Sequence, residues 1–76
     1  MNITLKIYAS LREYTNGEST FELEIPEGSD VSYLLDRAEV PSDEVKNIMV
    51  NGRRSNLYKN LSDGDRVAVF PAIAGG

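Results

Sequence analysis

Apolar and polar residues alternate through Ile3-Thr4-Leu5-Lys6-Ile7-Tyr8, which is the two-residue period of a strand that turns Ile3, Leu5 and Ile7 inward. The spacing Ser10-x-x-Glu13 then reads as a capping box, predicting a short helical turn through Tyr14. Thr15-Asn16-Gly17 interrupts that pattern. Alternation returns in Phe21-Glu22-Leu23-Glu24-Ile25, a second strand closed by Pro26 and Gly28. Val31, Leu34, Leu35 and Ala38 recur at helical spacing, so a helix capped by Ser29 or Asp30 and ending before Pro41 presents one apolar face.

Ile48-Met49-Val50 predicts a short strand. Asn51-Gly52 predicts a type I′ hairpin, because both residue types tolerate positive φ. Leu57 and Leu61 anchor an irregular stretch, Ser62-Asp63-Gly64-Asp65 makes a turn, and Val67-Ala68-Val69-Phe70 is apolar enough to be buried on both faces. Strand, strand, helix, strand, short strand, strand is the order of an α+β domain. It predicts one mixed sheet of about five strands crossed by a single main helix, with the last strand central beside the first. That arrangement is a β-grasp.

With 76 residues the chain has material for one core only, and its 41% hydrophobic and 26% charged residues are a globular balance. Composition then narrows the chemistry. The chain has no cysteine and no histidine, which excludes disulfides, thiolate metal sites, cysteine nucleophiles and the commonest general base. Asp63 and Asp65 flank Gly64 without further ligands, so turn chemistry explains them better than a metal does. A net charge of -4, with only Arg53 and Arg54 adjacent, argues against nucleic acid and anionic membranes and for a basic or neutral partner face. No apolar run approaches a membrane span and no signal pattern opens the sequence, so the expected location is cytoplasmic, with the free chain a monomer.

Residues 1–71 are expected to form the domain and 72–76 a tail. Pro71 stops the sheet, since proline has no amide to donate to a ladder. From Ala72 to Gly76 an extended chain spans about 17 Å at roughly 3.3–3.6 Å per residue. That length reaches into another protein's pocket, and the small Ala74, Gly75 and Gly76 allow a narrow slot to grip the backbone. Tyr8, Tyr14, Tyr33 and Tyr58 are not spaced as a stacking platform.

The run LSDGDRVAVFPAIAGG, with KIYASLREY near the start and MVNGRR in the middle, resembles the ubiquitin-like sulfur carriers of the MoaD/ThiS superfamily, nearest to the small subunits of molybdopterin synthase. The resemblance covers essentially the whole chain. Ala72 stands where that family often has a second proline. The resemblance implies that an adenylating enzyme of the ubiquitin-activating type (MoeB/ThiF-like) joins the Gly76 carboxylate to AMP, using ATP. A sulfur donor then converts it to a thiocarboxylate.

On that reading this chain binds no cofactor or metal itself and is not catalytic alone, and Gly75 permits the tail's passage through the partner. The acceptor is a molybdopterin synthase large subunit (MoaE-like) or another thiolation enzyme. The resemblance further implies a docking patch of Phe70, Pro71, Ala72, Ile73 and Ala74, to which Leu57 and Arg12 are candidate additions. Residue by residue, Phe70 fits core as well as patch, Leu57 fits a loop anchor better, and Arg12 fits a solvated arginine. Thiamine thiazole synthesis, conjugation to proteins through Gly76, and a plain β-grasp binding module remain the alternatives.

Overall fold

The structure, a computed structural model, describes residues 1–72. Strand β1 (Asn2–Ile7) holds Ile3, Leu5 and Ile7 in the interior, as its alternation requires. β2 (Thr20–Glu24) pairs antiparallel with it at one edge, Leu5 opposite Phe21 and Ile3 opposite Leu23. β3 (Val45–Val50), β4 (Arg53–Ser55) and β5 (Arg66–Pro71) complete a sheet of order β2-β1-β5-β3-β4. β5 is central, parallel to β1 and antiparallel to β3. This is the mixed five-stranded β-grasp sheet that the element order predicts.

Helix α1 (Val31–Arg37) buries Val31, Leu34 and Leu35 completely against Leu5, Val67, Val69 and the rest of a single core cluster. Its first amides are taken up by the irregular stretch after β4: Ser32 N–H donates to the Leu57 carbonyl at 2.9 Å and Val31 N–H to that of Lys59 at 3.1 Å. Leu57 and Leu61 are drawn onto the core by the same contacts, Leu61 fully and Leu57 in part. Asn51 and Gly52, at φ 53° and 81°, form the two-residue turn between Val50 and Arg53.

Three expectations need correction. Residues Ala9–Thr15 form a 3-10 helix capped by Tyr8 with no side-chain bond, so the Ser10–Glu13 capping box is not made. The chain enters through Ala9 at φ 55°, which sets Ser10 inside the first turn and away from the cap position. β3 begins at Val45, three residues before the predicted start, after a 3-10 turn at Ser42–Glu44.

β5 is buried on one face only: Val67 and Val69 are fully enclosed while Ala68 and Phe70 are half-exposed. Helix α1 packs on the side of Val67 and Val69. Pro71 does close the ladder as expected, paired with Val45 beyond a register shift between Val45 and Asn47.

Candidate functional site

The uncovered face of the sheet follows from strand parity. Residues one position away from the buried set point outward, and the pairing aligns them in rows. Lys6, Ala68, Met49 and Arg54 form one row across β1, β5, β3 and β4. In the next row toward the end of β5, Asn47 stands opposite Phe70. Tyr8 follows directly on Ile7, which is paired with Val69, and its ring stacks on Phe70 with centroids 4.6 Å apart and planes 16° from parallel. Its amide also donates to the Val69 carbonyl at 3.2 Å.

A hollow of about 650 Å³ opens beside this stack, lined by Ala9, Asn47, Met49, Phe70, Pro71 and Ala72 among others. It is mainly apolar and lies at the end of β5, beside Pro71 and Ala72. Such a surface suits a protein partner, because an apolar floor gains from being covered.

Phe70, Pro71 and Ala72 are thus brought together at the exit. Phe70 belongs to this surface and not to the core, since it lies outside the residues packed on the buried cluster. Leu57 does not join them: it packs against the core and lines no part of the hollow, so its place in the docking patch is corrected to an anchor. Arg12 lines a separate depression with Lys6 and Tyr8, and its Nε lies 3.4 Å from the Ala9 carbonyl. Ile73, Ala74, Gly75 and Gly76 lie outside the described residues.

Two members of the surface, Tyr8 and Met49, escaped the sequence reading. Tyrosine spacing along the chain does not reveal Tyr8, because its partner Phe70 is 62 positions away and reaches it by parallel pairing of β1 with β5. The parity of β1 was the available signal, since it turns Tyr8 away from the core.

The acidic turn is occupied by structural work. Asp63 Oδ1 accepts from the Asn2 amide at 2.7 Å, while Asp65 accepts from Asn51 Nδ2 at 2.9 Å and from the Ser62 amide at 2.8 Å. Among the described residues no group of three metal-ligating side chains converges. No helix there is long and apolar enough to cross a membrane.

Several solved structures share this architecture. SAMP1 from Haloferax volcanii is similar over the full length of both chains, with a TM-score of 0.77 at 24% identity, a likeness of fold alone. A Pyrococcus furiosus protein assigned as molybdopterin converting factor subunit 1 is 31% identical, with a TM-score of 0.75, 95% of this chain and 98% of that one being covered. One chain of the BexX/CysO complex of Amycolatopsis orientalis is 27% identical, with a TM-score of 0.69, over 97% of this chain and 99% of that one. Among curated proteins, none matches the chain. The family model described as ThiS family matches residues 5–76, through β1, the open face, the exit at Pro71 and the closing Gly75-Gly76. By that match, and with the ubiquitin-like fold it shares with these structures, the chain belongs to the ThiS family.

Proposed function

We propose that the chain is a sulfur carrier whose Gly76 carboxylate is adenylated by a partner enzyme and converted to a thiocarboxylate. The observation that carries this reading is that the family match runs through residue 76, so the terminal glycines are part of what makes the chain a ThiS-family member.

The chemistry suits a chain without histidine or cysteine. A terminal carboxylate, with a pKa near ~3.5, is ionised at neutral pH and is a poor electrophile. Joining it to AMP with loss of pyrophosphate supplies a good leaving group. A sulfur nucleophile then displaces AMP: sulfide gives the thiocarboxylate directly, and a persulfide gives an acyl disulfide that a thiol cleaves. The activating partner furnishes the cationic groups and metal that stabilise developing charge, while this chain presents the tail and a surface to hold.

Molybdopterin synthesis is the acceptor pathway we favour. The supporting observation is the 31% identity to the Pyrococcus furiosus protein assigned as molybdopterin converting factor subunit 1. The same likeness favours sulfur carriage over conjugation to proteins, which would pass through the same acyl adenylate. In this role the chain is the small, non-catalytic subunit that docks on a larger synthase subunit.

The test is the intact mass of the purified protein before and after incubation with the adenylating enzyme of the same genome, ATP and a sulfur donor. The first spectrum establishes that Gly76 carries a free carboxylate. Replacement of one oxygen by sulfur on the full chain, absent after deletion of Gly76, is the expected result. An unchanged mass with an enzyme active on its own substrate overturns the reading.

A further inference from the structure

Half of this protein's basic residues gather around hollows on one face of the sheet. Three hollows open on the uncovered side of the sheet: the one beside Phe70, one between Lys6 and Arg66, and the depression at Arg12. Together they are lined by four of the eight Lys and Arg residues, Lys6, Arg12, Arg54 and Arg66, and by none of the twelve Asp and Glu residues.

Lys6 and Arg54 close the two ends of the row that runs through Ala68 and Met49. Three strand spacings separate their backbones, about 14 Å. Arg66 stands opposite Thr4, two positions before Ala68 on β5. Glu22 and Glu24 share the parity of this face but sit on the outer strand β2, opposite Thr4 and Asn2 and outside all three hollows.

We propose that the protein which handles the tail meets this face with acidic side chains set around an apolar centre. This inference rests on the carrier reading and specifies the partner's chemistry. It replaces the basic or neutral partner expected from net charge. At 0.15 M salt charges are screened over about 8 Å, well under the molecule's smallest extent of 19 Å. A partner approaching the open face therefore senses Lys6, Arg54 and Arg66 across its middle, with Glu22 and Glu24 of the same parity set off on the edge strand β2. The apolar middle of Tyr8, Met49, Ala68 and Phe70 supplies burial, and the cationic rim supplies steering and register. That centre also favours protein over nucleic acid, since four scattered cations give few phosphate contacts.

The experiment titrates the full chain with two probes from the same genome, the adenylating enzyme and the molybdopterin synthase large subunit, at 50 and 300 mM NaCl. Two double variants are compared with wild type: Lys6→Glu/Arg66→Glu on the face, and Arg37→Glu/Lys59→Glu outside its three hollows. Both change net charge equally, and circular dichroism checks that each is folded.

Wild-type affinity is expected to fall as salt rises. The face variant should bind at least one probe on the order of tenfold or more weakly at 50 mM NaCl, with the control close to wild type. Affinity that rises with salt, or equal losses in both variants, overturns the inference and leaves the carrier reading standing. So does retention of a short single-stranded RNA at 0.15 M NaCl that only the face variant abolishes. Absence of binding to either probe at any salt defeats the carrier reading, and the inference with it.

Discussion

The rings of Tyr8 and Phe70 stack 4.6 Å apart near the end of the central strand. Both are partly exposed, so the pair stiffens a docking surface more than it fills a core. A double-mutant cycle with Tyr8→Ala and Phe70→Ala should give a coupling of about 1 kcal/mol in urea unfolding. Phe70→Ala should weaken partner binding by far more than its loss of stability accounts for. Leu57→Ala is the contrast: it lowers stability through core contact and leaves binding unchanged. Equal binding by Phe70→Ala and wild type removes Phe70 from the docking surface.

Asn51 joins the hairpin to the start of β5. Its Oδ1 accepts from the Arg66 amide and its Nδ2 donates to Asp65 Oδ1, both at 2.9 Å, while its own amide donates to the Arg66 carbonyl at 2.8 Å. Asn51→Gly keeps the positive φ and loses the two side-chain bonds, whereas Asn51→Ala loses the bonds and adds backbone strain. We expect costs of about 1–2 kcal/mol for glycine and about 1 kcal/mol more for alanine, read from chemical denaturation. A glycine variant as stable as wild type shows that those bonds contribute nothing net.

Asp30 caps α1. Its Oδ1 accepts from the Tyr33 amide at 2.9 Å and from the Ser32 hydroxyl at 2.8 Å, and these donors, the amide first, hold its pKa below the ordinary 3.8. A depressed pKa means that the charged form stabilises the fold. That contribution is fully present above the unfolded-state value and is lost as pH falls through the folded one. Asp30→Ala should cost about 1 kcal/mol at pH 7. The gap between variant and wild type should narrow when urea midpoints are compared below pH 3.8. A gap constant from pH 7 to pH 2 assigns the cap to its dipole and not its charge.

Glu39 occupies the left-handed region at φ 60° just past the end of α1. Its amide donates to the Asp36 carbonyl at 3.1 Å and the amide of buried Val40 to that of Leu35 at 2.9 Å, the paired bonds of a Schellman motif in which glycine is usual at this place. Glu39→Gly should raise stability by up to about 1 kcal/mol, because relief of the strained φ outweighs the added freedom of the unfolded chain. Thermal unfolding measures it, and a lower midpoint reverses the conclusion.

Most local signals in this sequence decide the conformation of their own segment. The alternation of Ile3, Leu5 and Ile7, the helical spacing of Val31, Leu34 and Leu35, and the Asn51-Gly52 turn all depend on neighbours within a few positions. The β-grasp order follows from them because one helix and five short strands leave few ways to cover a sheet. The capping box failed at the same local level, since Ala9 adopts a positive φ that residue identity does not announce.

Long-range pairing decided the rest. Which strands lie side by side determines that Tyr8 meets Phe70, that Met49 shares a row with Lys6 and Arg54, and that Leu57 turns to the core. Net charge is a single number for the chain, but an approaching partner feels only what lies within about one screening length. A sequence of net charge -4 therefore carries the local pattern from which the fold follows, and only the folded sheet brings Lys6, Arg54 and Arg66 onto one face.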